Sequence, residues 1–286
     1  MLLHSKILGD SENHILILHG FLGSGDNWIT IGRKLNFKGF TVHLIDQRNH
    51  GRSYHSENFD YQLMSNDLLK YIKLHNIEDP ILIGHSMGGK TAMKFSLEFP
   101  KSVRKLFVLD ISPKEYPIHH QSIIDSLESL DFNSLSTRKE IDNKLKKSIE
   151  QPELRNFLMK SIFRKDNTRF DFRFNLKSLS ENIDKIGEKV DSAEKFTGEV
   201  YFFKGSRSEY IMDRDKDLIQ KLFPKAKFIN IQNAGHWLHA DNPNDFLSEL
   251  LSLIWFIATF HFETYKKNST FANQFILNEN FYHKKK

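Results

Sequence analysis

The stretch that decides the fold is LIGHSMGGKT, which runs from Leu82 to Thr91. Within it, Gly84-His85-Ser86-Met87-Gly88 matches the pattern G-x-S-x-G, after an apolar run and before a segment with helical spacing. A serine in this pattern lies on a sharp turn from strand to helix, and the flanking glycines leave room for that turn. The pattern therefore predicts that the hydroxyl of Ser86 is presented as a nucleophile at a helix N-terminus.

The same residues also fit a phosphate-binding loop. Gly84, Gly89, Lys90 and Thr91 stand at the positions of G-x-x-x-x-G-K-T,. Asp110, at the end of the apolar run LFVLD, could then hold Mg²⁺,. Against this interpretation, two strand-like runs already precede the loop, and His19-Gly20 ends the first of them, where acyl-transfer enzymes build half of an oxyanion hole,. A P-loop-like NTPase using Gly84–Thr91 and Asp110 stays as the alternative function.

Outward from this stretch, short apolar runs alternate with segments of helical spacing. The runs without polar alternation predict strands buried on both faces, as in a parallel sheet covered by helices on both faces. The alternation predicts a doubly wound α/β fold. The predicted strands are 14–20, 40–46, 80–86, 103–110, 199–205 and 227–232, and the predicted helices are 26–36, 61–75, 88–98, 213–222 and 243–257.

One long segment breaks this alternation. Residues 113–196 contain no convincing strand and have helical spacing throughout, which predicts an all-helical cap over the carboxyl ends of the strands,. The cap is inserted in a core formed by residues 1–112 and 197–258. Residues 259–286 have scattered aromatics and a lysine-rich end, and we expect a poorly ordered basic tail there,.

Composition excludes several classes of protein. The 286 residues include no cysteine, which excludes disulfides and a thiol nucleophile and is typical of a reducing compartment, so we expect a cytoplasmic protein,. The first residues include polar side chains and no long apolar core, so we expect no signal peptide there,. The apolar stretch 246–260 contains Glu249 and is shorter than the ~20 residues that a membrane span needs, so we expect a core helix and no membrane span,.

The charge and histidine patterns predict neither a nucleic-acid partner nor a metal ion. The net charge is +5, and five lysines after residue 258 account for most of it, so we expect no nucleic-acid partner,. His236 and His239 are three residues apart, yet no ligand pattern such as H-E-x-x-H is present, so we expect no metal,. The loop from Arg48 to Ser53 is interpreted as a structural turn, in which Asn49 and Gly51 supply positive φ and Arg48 binds nearby carbonyls.

Six stretches together carry a resemblance to a known family. In order and spacing, from about residue 13 to about 257, the chain resembles the α/β-hydrolase superfamily, and more closely the YbfF-type esterases and their ABHD11-like relatives. The resemblance implies an α/β-hydrolase fold and a serine hydrolase that needs no cofactor. The stretches are HGFLGS (19–24), DQRNHGRS (46–53), GHSMGGK (84–90), LDISP (109–113), GSRSEYI (205–211) and AGHWLHAD (234–241).

The resemblance also implies roles for individual residues. Ser86 would be the nucleophile, His236 the general base and then acid, and the backbone N–H groups of Phe21 and Met87 the oxyanion hole. The chemistry requires the same parts, because a serine hydroxyl is a weak nucleophile until a base takes its proton. Two donors aimed at the developing oxyanion lower the barrier further.

The acid that orients the histidine is less obvious. Many α/β-hydrolases carry it after the strand that precedes the histidine, but that slot reads Ser206, Arg207 and Ser208 here. Asp110 ends the predicted strand that follows the Ser86 unit, and neighbouring parallel strands end side by side, so this carboxylate can reach the histidine,. The resemblance also places the acid at Asp110, with Ser208 as a possible supporting residue in the vacated slot. Glu209 remains the alternative acid, and Asp213 is expected to cap the helix that starts near residue 214.

These observations predict a carboxylesterase or thioesterase that acts on a short- to medium-chain acyl group through an acyl-Ser86 intermediate. Besides the NTPase, a non-catalytic ligand-binding homologue is an alternative, since a fold does not determine a function.

Overall fold

The strands form one large sheet and one small hairpin. The computed structural model describes residues 1–118, 120–166 and 169–255. The strands are β1 Ser5–Leu8, β2 His14–Leu18, β3 Thr41–Ile45, β4 Ile81–His85, β5 Lys105–Leu109, β6 Ile162–Arg164, β7 Phe170–Phe172, β8 Glu199–Gly205 and β9 Ala226–Ile231. The large sheet has the order β1-β3-β2-β4-β5-β8-β9, in which β1 alone is antiparallel to its neighbour. The predicted α/β class with a mostly parallel sheet is confirmed.

Helices follow almost every strand of the large sheet. They are α1 Ile29–Phe37, α2 Tyr61–Leu74, α3 Met87–Glu98, α4 Gln121–Glu128, α5 Arg138–Leu145, α6 Pro152–Lys160, α7 Leu176–Glu181, α8 Ile183–Gly187, α9 Lys216–Leu222, α10 Leu238–Asp241 and α11 Pro243–Trp255. The carboxylate of Asp60 caps α2 by accepting the Leu63 N–H at 2.7 Å,. The prediction that Asp213 caps the next-to-last predicted helix is wrong. A 3-10 turn at 213–215 precedes α9, so Asp213 lies inside this turn and not at the start of α9. At the turn, the Asp215 carboxylate accepts the Met212 N–H.

Alternate residues of each central strand point to opposite faces of the sheet, and both faces are covered. On one face, Leu82 and Leu106 pack with residues of α2, α3 and α9. On the other, Ile83 and Phe107 pack with residues of α1 and α11. This two-sided burial explains why the strand sequences are continuous apolar runs.

The segment between β5 and β8, residues 113–196, is called the insertion below. It contains α4 to α8 and the hairpin of β6 and β7, which pair in antiparallel register. The prediction of an all-helical segment is therefore wrong. Strands of three residues are too short to show a period of two, so the apolar pattern of the neighbouring helices hid them.

The apolar side of the insertion packs on the end of the sheet where the predicted site lies. Buried insertion residues such as Leu127 and Leu158 form one cluster with Phe21 and Met87. The predicted tail, 259–286, lies outside the described residues. Within those residues, no helix is long and apolar enough to cross a membrane.

The loop from Arg48 to Ser53 has the structure expected of a turn. Asn49 and Gly51 have φ of 62° and 59°. The buried Arg48 pairs with Asp67 at 2.7 Å and donates to the Asn58 carbonyl at 2.8 Å. The predicted positive φ of Asn49 and Gly51 and the predicted binding of Arg48 to a nearby carbonyl are confirmed.

Candidate active site

Ser86 lies at a strained turn between β4 and α3. Its φ of 52° and ψ of −117° are unusual for a residue with a side chain,. A Cβ atom on Gly84 would collide with the Gly88 carbonyl, and one on Gly88 would collide with the Leu18 carbonyl at the end of β2. The glycines of the motif are thus required by the close approach of the backbone, and the turn places Ser86 at the carboxyl edge of the sheet.

The side chains of His236 and Asp110 meet at the same edge. The His236 Nδ1 atom lies 2.8 Å from the Asp110 Oδ2 atom, and the Asp110 side chain has no exposed surface. Asp110 directly follows β5 and has a φ of 51°. His236 follows β9, two strands away in the sheet, so the loop after β9 must fold back over β8 to reach it.

The slot that lacks an acid contributes hydrogen-bond donors instead. The Ser208 hydroxyl donates to Asp110 Oδ2, and the Gly205 N–H donates to Asp110 Oδ1 at 3.1 Å. Glu209, the alternative acid, has an exposed side chain, and the contact of the His236 ring is with Asp110. The vacated position after β8 therefore supports a carboxylate that comes from β5.

Two further residues hold His236, and sequence reasoning missed their contacts. The His85 Nε2–H donates to the His236 carbonyl at 2.9 Å, and burial holds the pKa of His85 well below its usual value. The Tyr210 ring stacks on the His236 ring with centroids 3.9 Å apart and an angle of 18°. His85 stands inside the recognised motif, which was a usable signal, but nothing in the sequence marks Tyr210 as a neighbour of the histidine.

The loop after β2 closes over Ser86. A Cβ atom on Gly20 would lie 2.9 Å from His85 Nδ1 and 3.4 Å from Ser86 Cβ, so only glycine allows this approach,. Among the described residues, the N–H of Phe21 donates to no acceptor. Met87 is the first residue of α3, where helix N–H groups have no partner within the helix,.

Ser86 and His236 line the same cavity of about 230 Å³. Phe21 and Trp237 line it from the core, and Leu154 and Phe157 line it from α6 of the insertion. Met87 lines a smaller cavity that also touches Ser86.

A second cavity, of about 450 Å³, lies beside the first. Phe157 and Trp237 line both cavities, and their ring centroids are 5.6 Å apart. Trp28 belongs to the second cavity, away from Ser86.

Lys90 has a structural environment that a phosphate-binding lysine would not have. Its buried Nζ atom donates to the carbonyl oxygens of Lys114 at 2.9 Å and Gly187 at 3.0 Å, and also to that of Glu188. Burial lowers the pKa of Lys90 to about 7. The side chain is thus turned into the protein, and the P-loop interpretation of Gly84–Thr91 is wrong because the strand-to-helix turn serves Ser86.

His239, the second histidine of the pair at 236 and 239, packs against Trp28. Its ring stacks on Trp28 at 3.9 Å, and burial lowers the pKa of His239 to about 3. Within 1–118, 120–166 and 169–255, no group of three or more His, Cys, Asp or Glu residues is placed to hold a metal ion.

The sheet order, the turn at Ser86 and the inserted segment define an α/β-hydrolase, and comparison with known proteins agrees. The family model of the alpha/beta hydrolase fold matches residues 13–127. The chain belongs to the α/β-hydrolase family, among its ABHD11-like esterases and lipases.

Three relatives give this assignment its detail. The mouse protein sn-1-specific diacylglycerol lipase ABHD11 is 33% identical over 247 residues, which cover 84% of this chain and 80% of that protein. A putative esterase/lipase of Haemophilus influenzae is 36% identical over 231 residues, covering 80% of this chain and 79% of that protein. The solved structure of a marine microorganism esterase is 42% identical, covers 88% of this chain and 98% of its own, and superposes with a TM-score of 0.85.

Proposed function

We propose that this protein is a serine hydrolase that cleaves a carboxylic ester or thioester of a short- to medium-chain acyl group through an acyl-Ser86 intermediate. The observation that carries the proposal is the bond between His236 and the buried Asp110 beside the cavity that Ser86 lines. The substrate is a small molecule, and no cofactor takes part. The absence of cysteine suits a reducing compartment, for which we propose the cytoplasm,.

The hydrogen bond that His236 already makes determines which of its nitrogens can take part in the reaction. Because His236 Nδ1 is bonded to Asp110, Nε2 is the atom that can accept the proton of Ser86,. The serine oxygen then attacks the acyl carbonyl carbon, and the carbonyl electron pair moves onto its oxygen. His236 returns the proton to the leaving alcohol or thiol, and a water molecule releases the acyl group by the same steps in reverse.

The negative oxygen of that intermediate needs donors that are already in place. The Phe21 N–H has no acceptor among the described residues and belongs to the loop that closes over Ser86, and the Met87 N–H lies at the N-terminus of α3. We assign the oxyanion hole to these two groups. Loss of one such donor typically lowers the rate by about 10²–10³.

Asp110 is proposed as the acid that fixes the tautomer of His236, with Ser208 supporting it. A second donor on Oδ2 restricts the carboxylate to one orientation, so that the imidazole is held toward Ser86. This arrangement takes the place of an acid after β8.

The substrate class is proposed from the relatives and from the cavity. The similar proteins are named as an esterase/lipase and as a diacylglycerol lipase, both of which act on esters. The cavity at Ser86, about 230 Å³, is smaller than the ~300–1,000 Å³ of sites for drug-sized ligands, which favours short and medium acyl groups,. The insertion, whose α6 lines this cavity, is proposed to act as the cap at 113–196 of a core formed by 1–112 and 197–258.

Rapid-mixing kinetics with p-nitrophenyl esters of increasing acyl length test the proposal. We expect a burst of p-nitrophenol equal to the enzyme concentration, followed by slower turnover, because acylation and deacylation are separate steps. Intact mass measurement during the burst should show the mass of one acyl group. Ser86→Ala should abolish both signals, and kcat/KM should be highest for acyl groups that fit the cavity.

Ser206→Ala is a matched control, because this exposed serine lies after β8 and should leave the burst unchanged. A wild-type protein that gives no burst with any ester, and behaves as Ser86→Ala does, would show a non-catalytic homologue. Calorimetry with Mg²⁺-ATP should detect no binding, since Lys90 is held by carbonyl groups.

A further inference from the structure

The turn that carries the proposed oxyanion donor Phe21 is held in a conformation its sequence does not favour. The Gly23 N–H donates to the Gly20 carbonyl at 3.0 Å, which closes a four-residue turn with Phe21 and Leu22 in the middle. Leu22 has a φ of 59°, as a type II turn requires at its third position,. Glycine or asparagine is preferred there, because a residue such as leucine is strained at positive φ. Something outside the turn must therefore hold it.

Side chains bind both backbone groups of Leu22. Its N–H donates to His50 Nε2 at 3.1 Å, and its carbonyl accepts from the Ser161 hydroxyl at 2.9 Å. Leu22, His50 and Ser161 are all buried, at 2%, 0% and 2% exposure, so water cannot replace either bond,. The conformation of Leu22 is fixed by two residues that are far away in sequence.

His50 is a dedicated acceptor. Because the Leu22 N–H needs an acceptor, His50 Nε2 is unprotonated, and Nδ1 carries the proton that it donates to the Arg48 carbonyl at 2.8 Å. Burial lowers the pKa of His50 to about 3, so this neutral form persists through the neutral pH range. The Arg48 side chain forms an ion pair with Asp67, which fixes the residue whose carbonyl accepts the His50 proton.

Ser161 reaches the same turn from the opposite side. It stands between α6 and β6 in the insertion, and its carbonyl accepts the Arg173 N–H at 2.7 Å. A β-bridge also joins His50 to Phe174. The loop 48–53 and the insertion therefore both bind the turn at Leu22, and they also contact each other.

We infer that His50 and Ser161 are positioning residues for the oxyanion hole, which hold Leu22 at positive φ and thereby fix the Phe21 N–H beside Ser86. The inference rests on the proposed function. The peptide group before Phe21 is held through the Gly20 carbonyl, which also accepts from His19 Nδ1 at 2.8 Å. The peptide group after it is held through His50. Without His50, the turn can relax to the form that leucine prefers, and the donor moves.

Inhibition by a trifluoromethyl ketone tests this role. When Ser86 Oγ bonds to the ketone carbon, the carbonyl electron pair becomes an oxyanion in the hole and the serine proton goes to His236. The methyl ketone of the same skeleton is the ground-state control, because it binds without a stable adduct. The inhibition constant of the methyl ketone divided by that of the trifluoromethyl ketone is called the ketone ratio. This ratio measures the contribution of the oxyanion hole separately from folding and from pocket shape, and it falls when the hole is damaged.

We expect His50→Phe to lower kcat/KM and the trifluoromethyl ketone affinity by the same factor, about 10–100-fold, which is less than the loss of a whole donor. KM and the methyl ketone affinity should stay within about twofold. His50→Gln, whose Oε1 can accept at nearly the same place, should recover most of the loss. Ser161→Ala, which removes one neutral hydrogen bond, should lower the ratio about fivefold.

Two variants serve as matched controls. His43→Phe replaces another buried histidine, and Ser126→Ala removes another buried hydroxyl of the insertion that bonds to a helix carbonyl. Both should leave the ratio unchanged. An unchanged ratio in His50→Phe and Ser161→Ala would overturn the inference, and Ser161→Ala decides alone if His50→Phe does not fold. A wild-type protein that forms no adduct on Ser86 would instead refute the proposed function.

Discussion

Asp110 is the residue whose chemistry the structure specifies most closely. It lies between three donors, from His236, Ser208 and the Gly205 backbone, and it adopts a positive φ to reach them. Asp110→Asn should leave a folded protein with kcat lowered by about 10⁴, because an amide in this place favours the wrong tautomer of the imidazole. Steady-state hydrolysis of p-nitrophenyl acetate measures the loss, and circular dichroism checks the fold.

Glu209→Gln is the control for this experiment, because Glu209 is exposed and stands next to the supporting Ser208. We expect it to keep wild-type activity. The assignment would be wrong if Glu209→Gln lost activity while Asp110→Asn retained it.

The sequence predicted where a residue lies when a short motif fixes its position. It did not predict contacts between residues that only the tertiary structure brings together. Ser86 and His236 stand in short motifs, and Asp110 could be proposed because parallel strands end at one edge of the sheet. The stacking of Tyr210 on His236 depends on how the loop after β8 folds, which no local pattern encodes. The contact from Ser161 to Leu22 spans 139 positions and joins two separate elements, so no spacing rule could find it.

At the scale of elements, Lys90 joins α3, the helix that follows Ser86, to both ends of the insertion. Its three carbonyl partners lie near residue 114 and at residues 187–188, where the insertion leaves and rejoins the core. Lys90→Met keeps the apolar stem and removes the donors, so buried carbonyls lose their partners. We expect the free energy of unfolding to fall by about 2–4 kcal/mol. Thermal unfolding followed by circular dichroism should show a lower Tm, by about 5–15 °C.

Lys94→Met is the matched control on the same helix. Lys94 pairs with Glu98 at 3.1 Å across one helical turn, and such surface pairs contribute about 0.3–0.5 kcal/mol,. Its Tm should therefore stay near that of the wild type. Equal Tm values for the two variants would show that Lys90 does not anchor the insertion.

The elements that sequence reasoning found or missed differ in length and burial. The central strands are short apolar runs that end in turn residues, and alternate residues of each run face two separate cores, so their length and flanks identified them as strands,. β1 has four residues and lies at an antiparallel edge with partly exposed side chains, so it carries little apolar signal. β6 and β7 pair only with each other inside the insertion, and each has three residues, which is too short to show the alternation that indicates a strand,.

At the scale of the whole molecule, buried histidines are spread over the core. Burial lowers the pKa of His19 and His43 to about 4, and that of His50 and His239 to about 3. Most of them surround the candidate site, but His43 lies on β3, where it bonds to His14 and Tyr71. The folded protein thus contains several imidazoles that must stay neutral, whereas the unfolded chain can protonate all of them.

This difference predicts a loss of stability in mild acid. The pKa of these histidines is lower in the folded protein than the usual 6.5, so the stabilisation is fully present above pH 6.5. Between pH 6.5 and about 4, the unfolded chain binds more protons than the folded protein, and the free energy of unfolding falls as pH falls. At pH 5.5, one unit below the usual value, each such histidine costs about 1.4 kcal/mol. We expect Tm to drop by about 10 °C between pH 7.5 and 5.5.

Thermal unfolding at constant ionic strength, in buffers at pH 7.5 and 5.5, measures this drop. The window lies above the usual pKa of Asp and Glu, so carboxylates contribute little to it. His43→Gln removes one of the neutral imidazoles outside the site, and its free energy of unfolding should therefore change less between the two buffers than that of the wild type, by about 1.4 kcal/mol. His55→Gln is the control, because His55 is exposed. If the wild-type Tm were the same in both buffers, buried neutral histidines would not govern the acid stability of this protein.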